Sequence, residues 1–331
     1  MKVDLLPAVE ALGEGSWNAL LAQSAERAPF LSWQWQTAWL EAFGRGRPLY
    51  LLTVTDDAGA LTGLLPLYEA AAGRYRQVGG TDVSDYLDLI AVAGLEAEVW
   101  GALLHRGLPG GVRWDLRGIR ERSRTIEILP ALAAPHDLAV RVEVEDRCPV
   151  LALPETWEAY LAGLSGKDRH ELRRKIRRLE RELPGTRVRA HAAAAGWDAA
   201  LGEFLRLHRR SREGKAKFMD PRMETFFREA TRGLAAQGWA RLWFLEADAG
   251  PVATFLCLEW SDRVGLYNSG FEPAHARLAP GIVLLAHVIR DAIERRVPVF
   301  DFLRGEEPYK YDFGPVPEDL LAVTVEAAPA A

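Results

Sequence analysis

Apolar residues recur at helical spacing over Ser16–Arg27 and Ser32–Phe43, so the chain is expected to open with two helices. A β-branched and leucine-rich run, Leu49–Thr55, then meets the turn Asp56-Asp-Ala-Gly59 and a second run, Leu61–Tyr68, which together read as a hairpin. The pattern continues with a strand at Tyr86–Val92, a helix at Leu95–Arg106 and a strand at Val112–Ile119. Further along, helices are expected at Trp197–Arg212 and Arg222–Gln237. Strands follow at Ala240–Ala247, Val252–Trp260 and Arg263–Gly270, then a helix at Gly281–Arg296 and a strand at Val297–Leu303.

The two halves therefore list the same elements in the same order. Local spelling agrees as well: Val54-Thr-Asp-Asp-Ala-Gly59 resembles Leu245-Glu-Ala-Asp-Ala-Gly250, and Trp114-Asp-Leu-Arg-Gly118 resembles Phe300-Asp-Phe-Leu-Arg-Gly305. A tandem duplication of one α/β module explains both agreements, with the joint near Pro149–Pro154 where two prolines interrupt the periodicity. The expected domains are 1–150, a non-catalytic N-terminal module, and 151–331, a catalytic module that begins with a basic helix. Coincidence between two common α/β hairpins is the competing account.

That helix is expected over Thr156–Leu183, where Trp157, Leu161, Leu164, Leu172, Ile176, Leu179 and Leu183 form one apolar stripe. Arg169, Arg173 and Arg177 recur every fourth residue on another face. Lys167–Glu182 holds eight Lys/Arg against four Asp/Glu, although the whole chain is at −5. Such a face is either solvated and laced by ion pairs, or it grips the phosphates of a partner, a pyrophosphate carrier or RNA. The acidic balance elsewhere argues against a general DNA-binding protein.

Composition adds exclusions. The longest apolar run, Ala279–Ile289, is about half of what a membrane span needs, so no membrane insertion is expected. Cys148 and Cys257 lie far apart with no CxxC spacing, and no signal-like segment is visible at the start, which together suggest the reducing cytoplasm. Gly44-Arg-Gly46 lacks the third glycine of a dinucleotide loop, and neither Gly-Lys pair has P-loop spelling. His170-Glu171 reaches Arg174 where a zincin needs its second histidine, and the seven histidines never cluster, so no metal site is expected. There is no GxSxG elbow either. Trp33, Trp35 and Trp39, without interleaved basic residues, read as core or interface aromatics.

Three strings carry a family resemblance. Leu164-Ser-Gly-Lys-Asp-Arg-His-Glu-Leu-Arg-Arg-Lys-Ile-Arg-Arg-Leu-Glu180, Arg277-Leu-Ala-Pro-Gly281 and Phe300-Asp-Phe-Leu-Arg-Gly-Glu-Glu-Pro-Tyr-Lys-Tyr311 together resemble the BioF2-like, or CelD-type, acetyltransferase domain. That domain belongs to the GNAT acyltransferase superfamily and is related to FemAB-type peptidyltransferases, which are built from two GNAT modules. The implied fold is α/β: two tandem GNAT-like modules, each a mixed, mostly antiparallel sheet flanked by helices.

The resemblance implies that a carrier's pyrophosphate lies at a helix start formed by Pro280, Gly281, Ile282 and Val283, with Arg277 one turn earlier. The string departs from the superfamily's Arg/Gln-x-x-Gly-x-Gly/Ala loop, since Pro280 and Ile282 stand where glycines should. The other half of the site is expected between Asp301 and Lys310. Lys310 would steady the oxyanion or leaving group, and Glu307, Glu306 or Asp301 would take the proton. Arg304 would orient the carboxylate and Tyr309 would line the acceptor. Read as alternating strand, Tyr309, Tyr311 and Phe313 face one side and Lys310 with Asp312 the other, so the lysine need not be buried with the aromatics. Asp301 is either exposed at the sheet's crevice or paired inside, for instance with Arg304. His208 and Asn268 are weaker candidates, each with a structural reading as a packed helix histidine or a polar strand end.

The function these residues point to is N-acyl transfer by direct attack. The donor is acyl-CoA, acetyl-CoA in the simplest case, and the acceptor an amine of a small or sugar-nucleotide-like molecule. One alternative is a FemAB-type aminoacyl-tRNA-dependent transferase that uses the basic helix for tRNA. Another is a silent GNAT pair acting as a binding or assembly factor in envelope polysaccharide synthesis. Acceptor and oligomeric state are open at this level.

Overall fold

The computed structural model describes residues 1–106 and 113–328, and Val112 therefore lies outside the described residues. In chain order the elements are β1 (Lys2–Leu6), α1 (Gly13–Gln23), α2 (Trp33–Trp39), β2 (Leu49–Thr55), β3 (Leu61–Ala71), β4 (Arg74–Gln77), β5 (Ile90–Ala91), α3 (Glu96–Arg106), β6 (Arg113–Arg120), α4 (Arg124–Ala133) and β7 (Leu138–Ala152). They continue as α5 (Trp157–Gly163), α6 (Gly166–Glu182), β8 (Arg187–His191), α7 (Trp197–Ser211), α8 (Glu213–Phe218), α9 (Pro221–Ala236), β9 (Ala240–Ala247), β10 (Gly250–Trp260), β11 (Arg263–Phe271), α10 (Pro280–Glu294), β12 (Val299–Asp301), α11 (Pro308–Tyr311) and β13 (Val316–Ala327).

The chain forms two compact units, Met1–Asp146 with the residues from Glu318 onward, and Arg147–Pro317. Unit one runs β1-β2-β3-β4-β6-β13, with β4 and β6 parallel and the other neighbours antiparallel. Unit two runs β8-β9-β10-β11-β12-β7, and again only the fourth and fifth strands, β11 and β12, are parallel. Each unit is a GNAT-like module, as the repeated element order implies.

The expected boundary of 1–150 and 151–331 needs one correction. Residues 318 onward return to unit one, because β13 pairs with β6 from Leu320 opposite Arg120 to Val325 opposite Trp114. The corresponding place beside β12 is taken by the end of β7, Val150–Ala152. The last strand of each module is thus not the one that follows it directly in sequence, a choice that periodicity cannot reveal.

Three other expectations are corrected. The strand expected at Tyr86–Val92 shrinks to Ile90–Ala91, and the third strand of the first meander is Arg74–Gln77 instead. Tyr75 and Gln77 are buried there while Arg74 and Arg76, on the other face, are half-buried, so alternation was present but hidden by charge. The apolar Tyr86–Leu89 is a buried connection fixed by Asp88, whose carboxylate accepts from Ser123 Oγ, from Thr125 Oγ1 at 2.6 Å and from Leu89 N at 2.7 Å. The single helix expected over Thr156–Leu183 is broken at Leu164, which is extended, and Ser165 restarts it by accepting from Asp168 N. The strand expected at Val297–Leu303 is paired only over Val299–Asp301.

In unit two, α6 buries Leu172 and Leu179 in a core that includes Phe255, Val264, Leu284 and Phe300. Each such leucine contributes about 1.5 to 3 kcal/mol, enough to hold a strongly charged helix on the body. Helix α7 crosses β11 so closely that a Cβ on Gly270 would lie 2.5 Å from His208 N. Gly270→Ala is expected to destabilise unit two by about 2 to 3 kcal/mol in chemical denaturation, because both colliding partners are backbone.

Burial pushes the Asp88 carboxyl up to about 6, against the three hydrogen bonds that favour its charged form. The folded state therefore holds the proton more tightly than the unfolded chain, and stability falls as pH rises through the window from about 4 to about 6. Wild type measured against Asp88→Asn should gain relative stability between pH 7 and pH 4.5. A difference independent of pH would contradict this.

Candidate active site

Helix α6 presents two opposed faces. Lys167, Asp168, Glu171, Leu172 and Lys175 line a half-open pocket of about 320 Å³ together with Ile282 of α10 and Asp312 and Phe313 after α11. Arg169, Arg173 and Arg177 begin two residues later and so lie about 200° around the helix, away from that pocket. Arg169 donates to Leu161 O at 3.3 Å and Ala162 O at 3.4 Å, finishing the end of α5. Arg173 and Arg177 are exposed and have no side-chain partner among the described residues. The pocket's own charge is mixed: two lysines against Asp168, Glu171 and Asp312. The hydrogen bonds from Arg174 hold the Glu171 carboxyl down at about 2, so it is ionised and already paired.

The start of α10 only partly matches the expected anion cradle. Ala279 is left-handed at φ 52, and Ile282 and Val283 both turn their N–H groups onto Ala279 O, at 3.0 and 3.2 Å. Two of the three expected backbone donors are therefore occupied. Gly281 opens onto free space, with no atom within 4 Å of where a Cβ would stand. Arg277 pairs with Glu182 at 2.8 Å and is largely exposed.

The segment after β12 is built around Asp301. This side chain is fully buried, its Oδ2 receives Arg263 at 3.1 Å and its Oδ1 accepts Leu303 N at 2.8 Å. It is paired inside, with Arg263 of β11. With both oxygens engaged it is a structural clamp, and the proton-accepting role considered for it is withdrawn.

The chain then turns through Leu303 (φ 55) and Gly305 (φ 103), and Pro308 starts a single helical turn. That turn overrides the expected strand alternation and points Lys310 inward, to 3% exposure. Its ammonium donates to Arg304 O and Gly305 O at 2.9 Å each, approaches Leu303 O at 3.4 Å, and pairs with Glu307 at 2.9 Å. Burial works to raise the Glu307 carboxyl, but Lys310 and then Lys215 hold it below the ordinary carboxylate range. Glu306 faces outward and bonds Tyr311 Oη at 2.8 Å. Burial and the Glu307 charge push the half-buried Tyr309 hydroxyl up. Arg304 is half-buried and lends its carbonyl to Lys310.

Beside this segment, β12 ends at the partner of Gly265, while β11 continues to Phe271. A bulge at Tyr267, between the pairings of Leu256 with Asn268 and Cys257 with Leu266, turns β11 away. The backbone edge from Leu266 to Asn268 has no strand opposite it among the described residues, and Asn268 is half-buried there. The opening closes at Ser269. Its carbonyl meets His208 Nδ1 at 2.9 Å and the ammonium of Lys215, and its Oγ accepts from Lys215 at 3.0 Å. Burial, then the Lys215 charge, brings His208 down to about 4. Burial brings Lys215 down to about 8. Lys215 was not foreseen; the basic run Arg212-Glu-Gly-Lys-Ala-Lys217 between two helices was its only trace in the sequence.

An open strand edge, a turn holding a buried lysine and a mixed-charge pocket at a helix start are brought together within unit two. Residues 166–311 match the family model described as an acetyltransferase (GNAT) domain. This segment is a GNAT acyltransferase domain. No curated protein matches the chain by sequence. Among solved structures, a conserved protein of unknown function from Bacteroides thetaiotaomicron is similar with a TM-score of 0.63 and 12% identity, over 98% of this chain and 100% of its own. FemX is similar with a TM-score of 0.62 and 9% identity, over 97% of each chain. L-PGS from Bacillus licheniformis follows at 0.59 and 12%, over 98% and 93%. At such identities the likeness is one of fold alone. Among the described residues no group of His, Cys, Asp or Glu is placed to hold a metal ion, and no helix is long and apolar enough to cross a membrane.

Removing the Lys310 ammonium leaves three carbonyls and Glu307 without their donor. Lys310→Met in this GNAT domain is expected to lower its melting temperature, by about 2 to 3 kcal/mol in stability, as well as turnover. Turnover lost at full stability would mark a purely chemical role.

Proposed function

We propose that this GNAT domain transfers an acyl group from acyl-CoA, or a related phosphate-bearing carrier, to an amine of a small or sugar-nucleotide-like acceptor by direct attack. The observation that carries the reading is the open edge of β11 from Leu266 to Asn268, flanked by the Pro308–Tyr311 turn. Acyl transfer needs fixed backbone donors where the carbonyl becomes an oxyanion, and a strand edge with no strand beside it is a place where they can be offered without reorganisation. The pocket at the start of α10 suits the carrier's charged end. Lys167, Lys175 and the Gly281 N–H would hold phosphate. The carrier, when bound, supplies the activated acyl carbon; the protein's part is to hold and orient it.

The N-terminal module is assigned no chemistry. Gln77 Oε1 accepts from Arg117 N at 2.7 Å across the parallel pair β4–β6, and Leu87 N donates to Gly118 O at 2.9 Å. The place corresponding to the opening in unit two is thereby filled with buried chain.

An aminoacyl-tRNA-dependent reaction is the second reading. What favours it is the unpaired, exposed Arg173 and Arg177, which face away from the pocket and suit a phosphate backbone larger than a coenzyme. The FemX-like fold agrees with it.

Calorimetry against acetyl-CoA, longer acyl-CoAs and charged tRNA separates the two. On the first reading an acyl-CoA binds, and Lys167→Gln with Lys175→Gln weakens it about tenfold and flattens its salt dependence, while Arg173→Gln with Arg177→Gln changes neither. The reverse pattern, with binding of charged tRNA alone, would replace the first reading by the second.

A further inference from the structure

Lys215 closes the open edge of β11 in a manner that nothing above requires. Its ammonium carries three hydrogens, and two of them point to one residue, to Ser269 O and Ser269 Oγ. A neutral amine has two hydrogens, so it keeps both bonds and leaves a lone pair in the third tetrahedral position. Ser269 can therefore hold the nitrogen in place in either protonation state.

The neighbours set the balance between those states. Arg212, at the junction of α7 and α8, opposes the positive charge, and Glu307, on the loop before α11, supports it from further away. His208 on α7 shares the same carbonyl and is brought down to about 4, so it adds no charge near neutral pH. Glu307 is itself paired with Lys310, which limits its pull on Lys215. Burial against α7 and β11 is the largest influence, ahead of either charge, and brings Lys215 down to about 8. Of the candidate carboxylates, Asp301 has both oxygens engaged, Glu306 faces outward onto Tyr311 Oη and Glu307 is made a weaker base by lysine, which leaves Lys215 as the better proton acceptor beside the edge.

We propose that Lys215 is the catalytic base of the acyl transfer, taking the proton of the attacking amine at the Ser269 end of the β11 edge. The inference rests on the acyl-transfer reading. The acceptor nitrogen's lone pair forms the new N–C bond, and the carbon–sulfur bond of a thioester donor breaks with its electron pair leaving on sulfur. The amine proton passes to neutral Lys215 Nζ, and the resulting ammonium returns it to the departing thiolate. Charge and protons balance, and the lysine is reset.

The test is the pH dependence of kcat/KM in the full chain with an acyl-CoA donor and an amine acceptor, with donor affinity measured alongside by calorimetry. Wild type should rise with pH to a plateau above about 8, since only neutral Lys215 is active. Lys215→Gln should bind donor normally, lose about a hundredfold in kcat/KM and lose that rise. Lys215→Cys alkylated with bromoethylamine should restore activity with the rise moved to lower pH, as a thioether lowers the amine's basicity. A merely structural tie between α8 and β11 would move none of these profiles. Lys215→Gln that binds donor and keeps the rise near pH 8 overturns the proposal alone. Wild type that neither binds nor uses any acyl-CoA overturns the acyl-CoA reading, and this assignment with it.

Discussion

The catalytic unit depends on one buried ion pair, Arg263 with Asp301. An aspartate without exposure is tolerated only because one oxygen meets a guanidinium and the other a backbone N–H. Satisfying Asp301 in that way ends β12 after three residues, because the N–H of Leu303 turns back to the carboxylate instead of continuing the ladder. Everything that follows is a consequence of that early stop. The chain passes through two left-handed residues, α11 forms, and Lys310 folds back onto the carbonyls of Leu303, Arg304 and Gly305. The opening beside β11 exists because β12 no longer reaches it.

The first module makes the same pair and reaches a different result. Asp115 is held by Arg74 and Arg113, and Arg74 occupies the place of Arg263, two residues before the aspartate's partner on the parallel strand. Burial works against the Asp115 charge, but the two arginines hold its carboxyl below the ordinary range. Here Arg117, in the position of Leu303, gives its N–H to Gln77 across the strand pair. Tyr86 and Leu87 pack into the same region. The same clamp is thus compatible with an open module and a filled one, and the two differ in what receives a single backbone N–H.

Charge on α6 follows a similar division of labour. Arg169 finishes α5, Arg174 neutralises Glu171, Arg178 and Arg277 meet Glu182, and only part of the basic sequence is left for a partner. Surface pairs of this kind contribute little to stability, about 1 kcal/mol or less each, but they decide which cations face solvent.

By itself the sequence determined the repeated α/β module, the hairpins with their Asp-Ala-Gly turns, the amphipathic basic helix and the crowding of Asp301, Arg304, Glu306, Glu307 and Lys310 after a strand. These are written in short-range periodicity, turn chemistry and family strings, and each needs only neighbours in the chain. Tertiary structure alone decided that β13 returns to the first unit and that Asp301 meets Arg263. It also decided that Lys310 is buried, that the Arg169, Arg173 and Arg177 stripe turns from the pocket, and that Lys215 meets Ser269. For β13, Asp301 and Lys215 the deciding partner lies on another element, and for Lys310 it is the fold of its own turn that aims the side chain. Residue spacing carries no information about which distant backbone group will satisfy a charge once water is excluded.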